Sequence, residues 1–274
     1  MDYFQLLKRI DLPPQVERTM EQRFPQAQRL RERALAMTCG QTASQAYRAL
    51  AECLGEDDMG MLSCQLLAAA ESAERWGQMG IPEEIFLDTM KCFSRFLRET
   101  RVRLGRDCFD RGWWTWRQLS MRLFRLGTLE YELLPQCGLV SVHIPSDADL
   151  SPESVDISLE TARDFLGKFY PAYAGVDFVC ESWLLSPELT PFLPVGSRIL
   201  AFQQRFPLHE TDSEPMDCLE WLFRVPEDTP LECLPETTTL QRRVKKHLLS
   251  GGKIGTAMGV LKETAGLPEP SAAR

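Results

Sequence analysis

The sequence predicts a two-domain protein, with an all-α domain over residues 1–125 and a mixed-sheet domain of the α/β (α+β) class over residues 126–264. Three observations predict it. Apolar residues recur at helical spacing through the first part, the period changes to two after Gly127, and strand patterns then alternate with helix-start signals. A length of 274 residues also favours two domains over one. Residues 265–274, AGLPEPSAAR, read as a frayed, flexible tail.

In the first part, AYRALAECL places Ala46, Leu50 and Leu54 on one helical face. IPEEIFLDTMKCFSRFLRETRVRLG predicts a single long helix. Pro82 starts it, acids follow where the helix dipole favours them, and Gly105 ends it. Its stripe of Phe86, Met90, Phe93 and Leu97 reads as packing core. In RGWWTWRQLSMRLFRLG, Trp113, Trp114 and Trp116 fall close together where the composition changes. Such density marks a domain interface or a ligand wall, and a helix wedged between two domains is the preferred reading.

After Gly127, TLEYELLPQCGLVSVHIP sets Leu129, Tyr131 and Leu133 opposite Glu130 and Glu132. It turns at Pro135–Gly138 and resumes with Val140, Val142 and Ile144, which is a hairpin pattern. SLETARDFLGKFYP predicts a helix with Ser158 as its N-cap and Leu159, Ala162, Leu166 and Phe169 as its stripe. VDFVCESWLL reads as a strand and SRILAFQQRF as a short helix. FPLHETD and CLEWLFRV read as paired strands, and TTTLQRRVKKHLLSGG as a helix ending at Gly251. A final strand is open in IGTAMGVLKE. Hairpins at both ends with β-α-β between them imply a mixed sheet with flanking helices.

Composition narrows the function classes. Hydrophobic residues make up 44% and charged residues 26%, as in an ordinary globular protein. A net charge of −8 opposes non-specific nucleic-acid binding, which needs a basic face. No stretch approaches the roughly 20 apolar residues of a membrane span. The start, MDYFQLLKRIDLPPQVERTM, reads as neither a signal nor a transit peptide. Nine scattered cysteines without C-x-x-C, and only three histidines, give no metal-site spacing. Reduced thiols and a cytoplasmic location are expected, with no metal, and a homodimer is compatible with the sequence.

The order of elements, and above all HIPSDADLSPESVD followed by VCESWLLSPEL, resembles a bacterial family of predicted acyltransferases. In that family a helical N-terminal domain precedes a domain of GNAT-like acyltransferase fold, and the likeness covers nearly the whole chain. It implies acetyl-coenzyme A or another acyl-coenzyme A as cofactor, and transfer of the acyl group to a small-molecule or peptide amine. One departure stands out. The typical glycine loop, whose amides hold the coenzyme pyrophosphate at a helix N-terminus, is replaced by IPSDADLSPES, with no glycine and with Asp147 and Asp149. A non-catalytic small-molecule-binding or regulatory protein on the same scaffold is therefore the competing expectation.

On a strand over Leu139–Ile144, Ser141 and His143 share one face. In VDFVCESWLL, Phe178, Cys180 and Ser182 share a face, with Val179, Glu181 and Trp183 on the other. If the two strands run parallel at the sheet's centre, their C-terminal ends form a ligand crevice. His143, Cys180 and Ser182 would converge there with Ser146 and Asp147, and with Trp183 as a ligand contact. His143 is then the candidate base toward an amine, Asp147 its orienting acid, and Ser182 or Cys180 the group assisting at the thioester. The alternative is that His143 caps a turn and Cys180 fills core. A nucleophilic hydrolase is ranked low, because G-x-S-x-G is missing and CESW lies inside a strand. The basic end of the last helix, with Arg242, Lys246, Gly251 and Gly252, is a candidate phosphate site, or simply a helix C-terminus complemented by cations.

Overall fold

The computed structural model describes residues 1–214, 216–226 and 228–262, so the expected tail 265–274 lies outside the described residues. Helices α1 (Tyr3–Arg9), α2 (Pro14–Arg29), α3 (Arg31–Ala36) and α4 (Ala43–Leu54) lead to α5 (Asp58–Gln78). Asp57 caps α5 by accepting from the Gly60 amide at 2.9 Å. The other four helices all pack against α5. Its run of Ser63, Cys64, Ala68, Ala69 and Ala70 is small enough to let them approach, and it is buried along most of its length.

The expected long helix after Ile81 is broken into α6 (Glu83–Met90) and α7 (Cys92–Leu104). Polar side chains take over backbone partners at the break. Thr89 Oγ1 donates to the Ile85 carbonyl at 2.7 Å and accepts from the Arg125 amide at 3.0 Å. The stripe of Phe86, Met90, Phe93 and Leu97 is buried across both pieces. Helix α8 (Gly112–Leu119) then leads into the sheet.

The sheet starts at Leu123, earlier than the change of period at Gly127 suggests. Its strands are β1 (Leu123–Leu126), β2 (Leu129–Leu134), β3 (Leu139–His143), β4 (Phe178–Ser182), β5 (Leu208–Asp212) and β6 (Thr256–Val260). Their order is β1-β2-β3-β4-β6-β5, antiparallel throughout except for the central β3–β4 pair. Helix α9 (Pro152–Phe169) crosses from β3 to β4, α10 (Arg198–Gln203) precedes β5, and α11 (Thr239–Leu249) precedes β6. A helical domain followed by a mixed GNAT-like sheet is thus the fold. One hydrophobic core runs through both parts, from Tyr3 of α1 to Ala257 of β6. A smaller core gathers Leu189, Phe223, Val244 and Leu248 around α11.

Three local expectations are corrected. Helix α9 begins seven residues before Ser158, at a Ser151 cap with Pro152 in the first turn. Ser158 is instead an interior residue, bonding the Leu126 carbonyl and, at 2.9 Å, the Tyr131 hydroxyl. Residues 208–212 pair with β6, not with CLEWLFRV, and Leu219–Phe223 forms a single π-helical turn. Glycines at and just before β6 fit this choice of partner: a Cβ on Gly255 would lie 1.9 Å from the Asp212 carbonyl oxygen, and one on Gly259 2.6 Å from the Phe206 carbonyl oxygen. Trp183 lies in a 3-10 turn, Trp183–Leu185, just beyond β4.

The two glutamates of β2 are also not solvent-facing. Glu130 and Glu132 are 4% and 5% exposed, because the helical half covers their face of the sheet. Burial of two carboxylates demands counter-charges. Arg95 of α7 meets Glu130 at 2.8 Å, while Arg117 of α8 and Arg122 beyond it meet Glu132 at 3.1 and 3.3 Å.

Candidate active site

Strands β3 and β4 pair at only two rungs, Val140–Phe178 and Ser141–Val179. β4 continues along β6 as far as Ser182–Ala257. The parallel strands therefore part toward their C-terminal ends, leaving a wedge with backbone groups of β4 unclaimed on the β3 side. A cleft of about 530 Å³ opens there. Its walls come from α7 (Arg95, Phe96, Glu99), α8 (Trp113, Trp114), the β3 end (His143 to Ser146), the β4 end (Glu181, Ser182, Trp183) and the π-turn (Glu220, Trp221, Arg224). A smaller chamber of about 260 Å³ adjoins it. It shares Arg95, Glu99, Ser146 and Trp221 and adds Arg98, Arg103 and Asp147.

His143, Ser146, Ser182 and Trp183 are brought together on the cleft. Cys180 is not, being 1% exposed within β4, with its thiol pushed upward by burial. A buried neutral thiol is a poor nucleophile or acid. Asp147 lines only the smaller chamber, and it is held by Arg125 at 3.0 Å, with Arg95 at 3.7 Å. Burial raises the Asp147 carboxyl, and these two guanidiniums outweigh burial and hold it below the usual range. It has no contact that would orient His143. The end of α11 lies off both chambers and serves the fold. Arg242 bonds the Glu236 carbonyl, Lys246 faces solvent, and Gly251 takes the left-handed conformation at φ 85°. Gly252 packs beneath the His247 ring.

The acid that orients His143 is Glu132, whose Oε2 lies 3.1 Å from His143 Nε2. Burial raises the Glu132 carboxyl, but the His143 bond and the charges of His143, Arg117 and Arg122 overcome it and hold the group below its usual value. An ionised carboxylate can only accept, so Nε2 carries a hydrogen, and in the neutral form of the ring Nδ1 is the acceptor nitrogen. The Trp114 ring meets the imidazole edge-on at 5.0 Å and clamps it. Arg117 in turn lies over the Trp114 ring at 4.2 Å from its centre. Ser182 Oγ accepts from the Leu184 amide at 3.1 Å, which leaves its hydroxyl hydrogen for a ligand.

Sequence reasoning missed Glu132 because strict alternation in β2 marks it as a solvent-side residue. The only signal was the arginines at 117 and 122, and they pointed nowhere without the tertiary contact. The tryptophan cluster did carry a signal. Trp113 and Trp114 form a wall of the cleft, while Trp116 is buried, so α8 both packs between the helices and the sheet and borders the cleft.

The loop from β3 to α9 closes its own helix N-terminus. Asp149 accepts from the Ser151 amide at 3.0 Å and from the hydroxyls of Ser151 and Ser154 at 2.9 Å, and pairs with Arg198 at 2.7 Å. The Ser151 amide bond and the serine hydroxyls hold this carboxyl below its ordinary value. A carboxylate thus occupies the position where a helix N-terminus would offer amides to an anion.

Comparison with known proteins follows from this geometry. Residues 1–121 match the family model described as an N-acyltransferase N-terminal domain, and residues 123–261 the one described as a GNAT-like C-terminal domain. No curated protein gives a significant match. Among solved structures, an acyltransferase in complex with decanoyl-CoA superposes with a TM-score of 0.77 at 25% identity, covering 94% of this chain and 86% of that one. An acyltransferase in complex with decanoyl-CoA and teicoplanin gives 0.75 at 23% identity, over 94% and 87%. No helix among the described residues is long and apolar enough to cross a membrane.

Proposed function

Because the chain belongs to the family in which an N-acyltransferase N-terminal domain precedes a GNAT-like C-terminal domain, we propose that it transfers an acyl group from an acyl-coenzyme A to an amine. The observation that carries the proposal is the wedge between β3 and β4, opening on a cleft with an oriented imidazole at its edge. An extended chain of amides, such as the arm of coenzyme A, can pair with the unclaimed backbone of β4 as an added strand would. Structural neighbours that hold decanoyl-CoA are consistent with a medium-length acyl chain.

In the reaction so proposed, the amine nitrogen attacks the thioester carbon and the carbon–sulfur bond breaks. Coenzyme A departs as thiolate and takes a proton from solvent. The proton shed by the amine goes to His143 Nδ1, the nitrogen that the Glu132 bond leaves free. The Ser182 hydroxyl donates to the thioester oxygen as charge gathers there. Cys180 has no part in it.

The closed N-terminus of α9 favours a second reading, a protein that binds a small molecule in the cleft without turning it over. One experiment separates the two. Thermal unfolding is followed with coenzyme A, acetyl-coenzyme A and decanoyl-coenzyme A, and released thiol is assayed over a panel of amines. A ligand at about 100 times its Kd adds roughly 2.7 kcal/mol and raises the midpoint by several degrees. A shift specific to the acyl forms, with amine-dependent thiol release that falls about 10²- to 10⁴-fold in His143→Ala, is the expected result. No shift with any of the three at millimolar levels would refute the coenzyme reading. A shift without thiol release would establish the binding protein.

A further inference from the structure

Glu99 stands on α7 between the two chambers and lines both. Its Oε1 accepts from the Ser146 hydroxyl and lies 3.6 Å from Arg95 Nε. Its Oε2 is out of contact with solvent and has no hydrogen-bond partner among the described residues. Arg95 Nε is itself without a hydrogen bond, so the nearest guanidinium does not serve Glu99 at bonding distance. A buried carboxylate oxygen without a donor costs free energy unless something else supplies one.

Local charges name the missing partner. Arg95 and Arg125 face three carboxylates, Glu99, Glu130 and Asp147. Next to them Arg103 and Arg111 match Asp110 and Glu220 one for one. Together the linings of the two chambers hold six carboxylates and five arginines, one negative charge in excess, and Glu99 is the one carboxylate among the described residues with a buried oxygen that lacks a hydrogen bond. Burial raises the Glu99 carboxyl, helped by the charge of Glu130, and Arg95, Ser146 and Arg111 offset that only in part. The rings of Trp113, Trp114 and Trp221 line the larger chamber around it, and aromatic faces also favour a cation.

We propose that Glu99 seats the acceptor, its carboxylate turning the unpartnered oxygen to a primary ammonium group of an amine substrate within the aromatic-walled cleft. This deepens the acyl-transfer reading and rests on it. His143 and Glu99 then divide the work: Glu99 captures the amine as its ammonium ion, a first proton leaves to solvent to free the nitrogen lone pair, and His143 receives the second as the nitrogen attacks.

The probes are 4-fluorobenzylamine, as its ammonium ion at neutral pH, and its neutral isostere 4-fluorobenzyl alcohol, with affinities read by fluorine NMR. The full chain is compared with Glu99→Gln, with Glu99→Met as an uncharged residue of similar bulk, and with Glu84→Gln, which removes an exposed charge outside the cleft. The parent and Glu84→Gln are expected to prefer the ammonium by about tenfold or more, the worth of one charge-assisted hydrogen bond. Either Glu99 variant should lose that preference while binding the alcohol as before. Equal binding of the two probes by the parent, or a preference retained without Glu99, overturns the proposal. Decanoyl-coenzyme A is added to the same samples. Its stabilising shift tests the acyl-transfer reading separately, so an intact shift without ammonium preference counts against Glu99 alone.

Discussion

Replacing Glu132 by Gln tests whether the link between helices and sheet also orients the imidazole. The side chain is 7% exposed; it is hydrogen-bonded to Arg117 Nε and His143 Nε2, each at 3.1 Å, and ion-paired with Arg122, whose Nε lies 3.3 Å away and donates to the Leu133 carbonyl. A glutamine keeps the shape but removes the charge, and turns an amide NH₂ toward groups that are themselves donors. Both arginines, 20% exposed, would then lie largely buried without their anion. Breaking a buried pair from one side costs about 3–5 kcal/mol. At roughly 2–4 °C per kcal/mol, the midpoint should fall by about 6–20 °C. The pH dependence has a definite sign. The folded carboxyl is held below its ordinary value of 4.5, so its contribution is complete above that pH and disappears as pH falls through the folded value. Thermal scans of parent and variant at pH 7 and at successively lower pH provide the assay. The gap should be full at pH 7 and close under acid, and thiol release at pH 7 should fall with it as the His143 ring loses its tautomer. A midpoint within about 3 °C of the parent at pH 7 would refute the reasoning, since a buried triple contact could not then be lost at so little cost.

Iodoacetamide applied to the native protein should alkylate Cys39, Cys53, Cys137 and Cys233, which are exposed, well before Cys180. Early labelling of Cys180 by mass spectrometry would return it to the list of reactive groups. Asp149→Asn should increase the stabilisation by decanoyl-coenzyme A, because it removes the carboxylate that competes with phosphates for the α9 terminus. An unchanged shift would mean that the phosphates bind away from that helix.

The sheet half was legible where side-chain period and turn chemistry act locally. The β2–β3 hairpin and His143 at the strand end follow from alternation, while the parallel neighbours β3 and β4 came with the fold that the family resemblance implies. The failures share a physical cause, which is that tertiary partners overrode local pattern. Glu130 and Glu132 look like solvent-side residues until Arg95, Arg117 and Arg122 arrive from sequence positions the pattern does not connect. CLEWLFRV alternates well enough for a strand, yet β5 chose β6, where Gly255 and Gly259 allow close approach. Asp147 is expected beside His143 because both follow the strand end at the crevice, but the loop turns it toward Arg125. Proximity along a chain says little about direction once the strand has ended. Glu99 could not have been singled out, since on a helix rich in Arg and Glu it looks like one more solvated charge.

The helices and the sheet cannot be assigned to scaffold and site separately. The two buried carboxylates of β2 are neutralised from outside the sheet: Glu130 by Arg95 of α7, Glu132 by Arg117 of α8 and Arg122 just beyond it. Even the His143 ring is clamped by Trp114 of α8. Removing the helices would leave two carboxylates and an untethered imidazole on an open strand face, where water would hydrate the charges and free the ring. The helical half therefore keeps the Glu132–His143 pair dry enough to hold one tautomer. It also brings to the cleft the one carboxylate, Glu99, that the sheet does not neutralise. A site built across a shared core in this way ties catalytic geometry to global stability, so substitutions that loosen α7 or α8 should be felt at His143 before the chain unfolds.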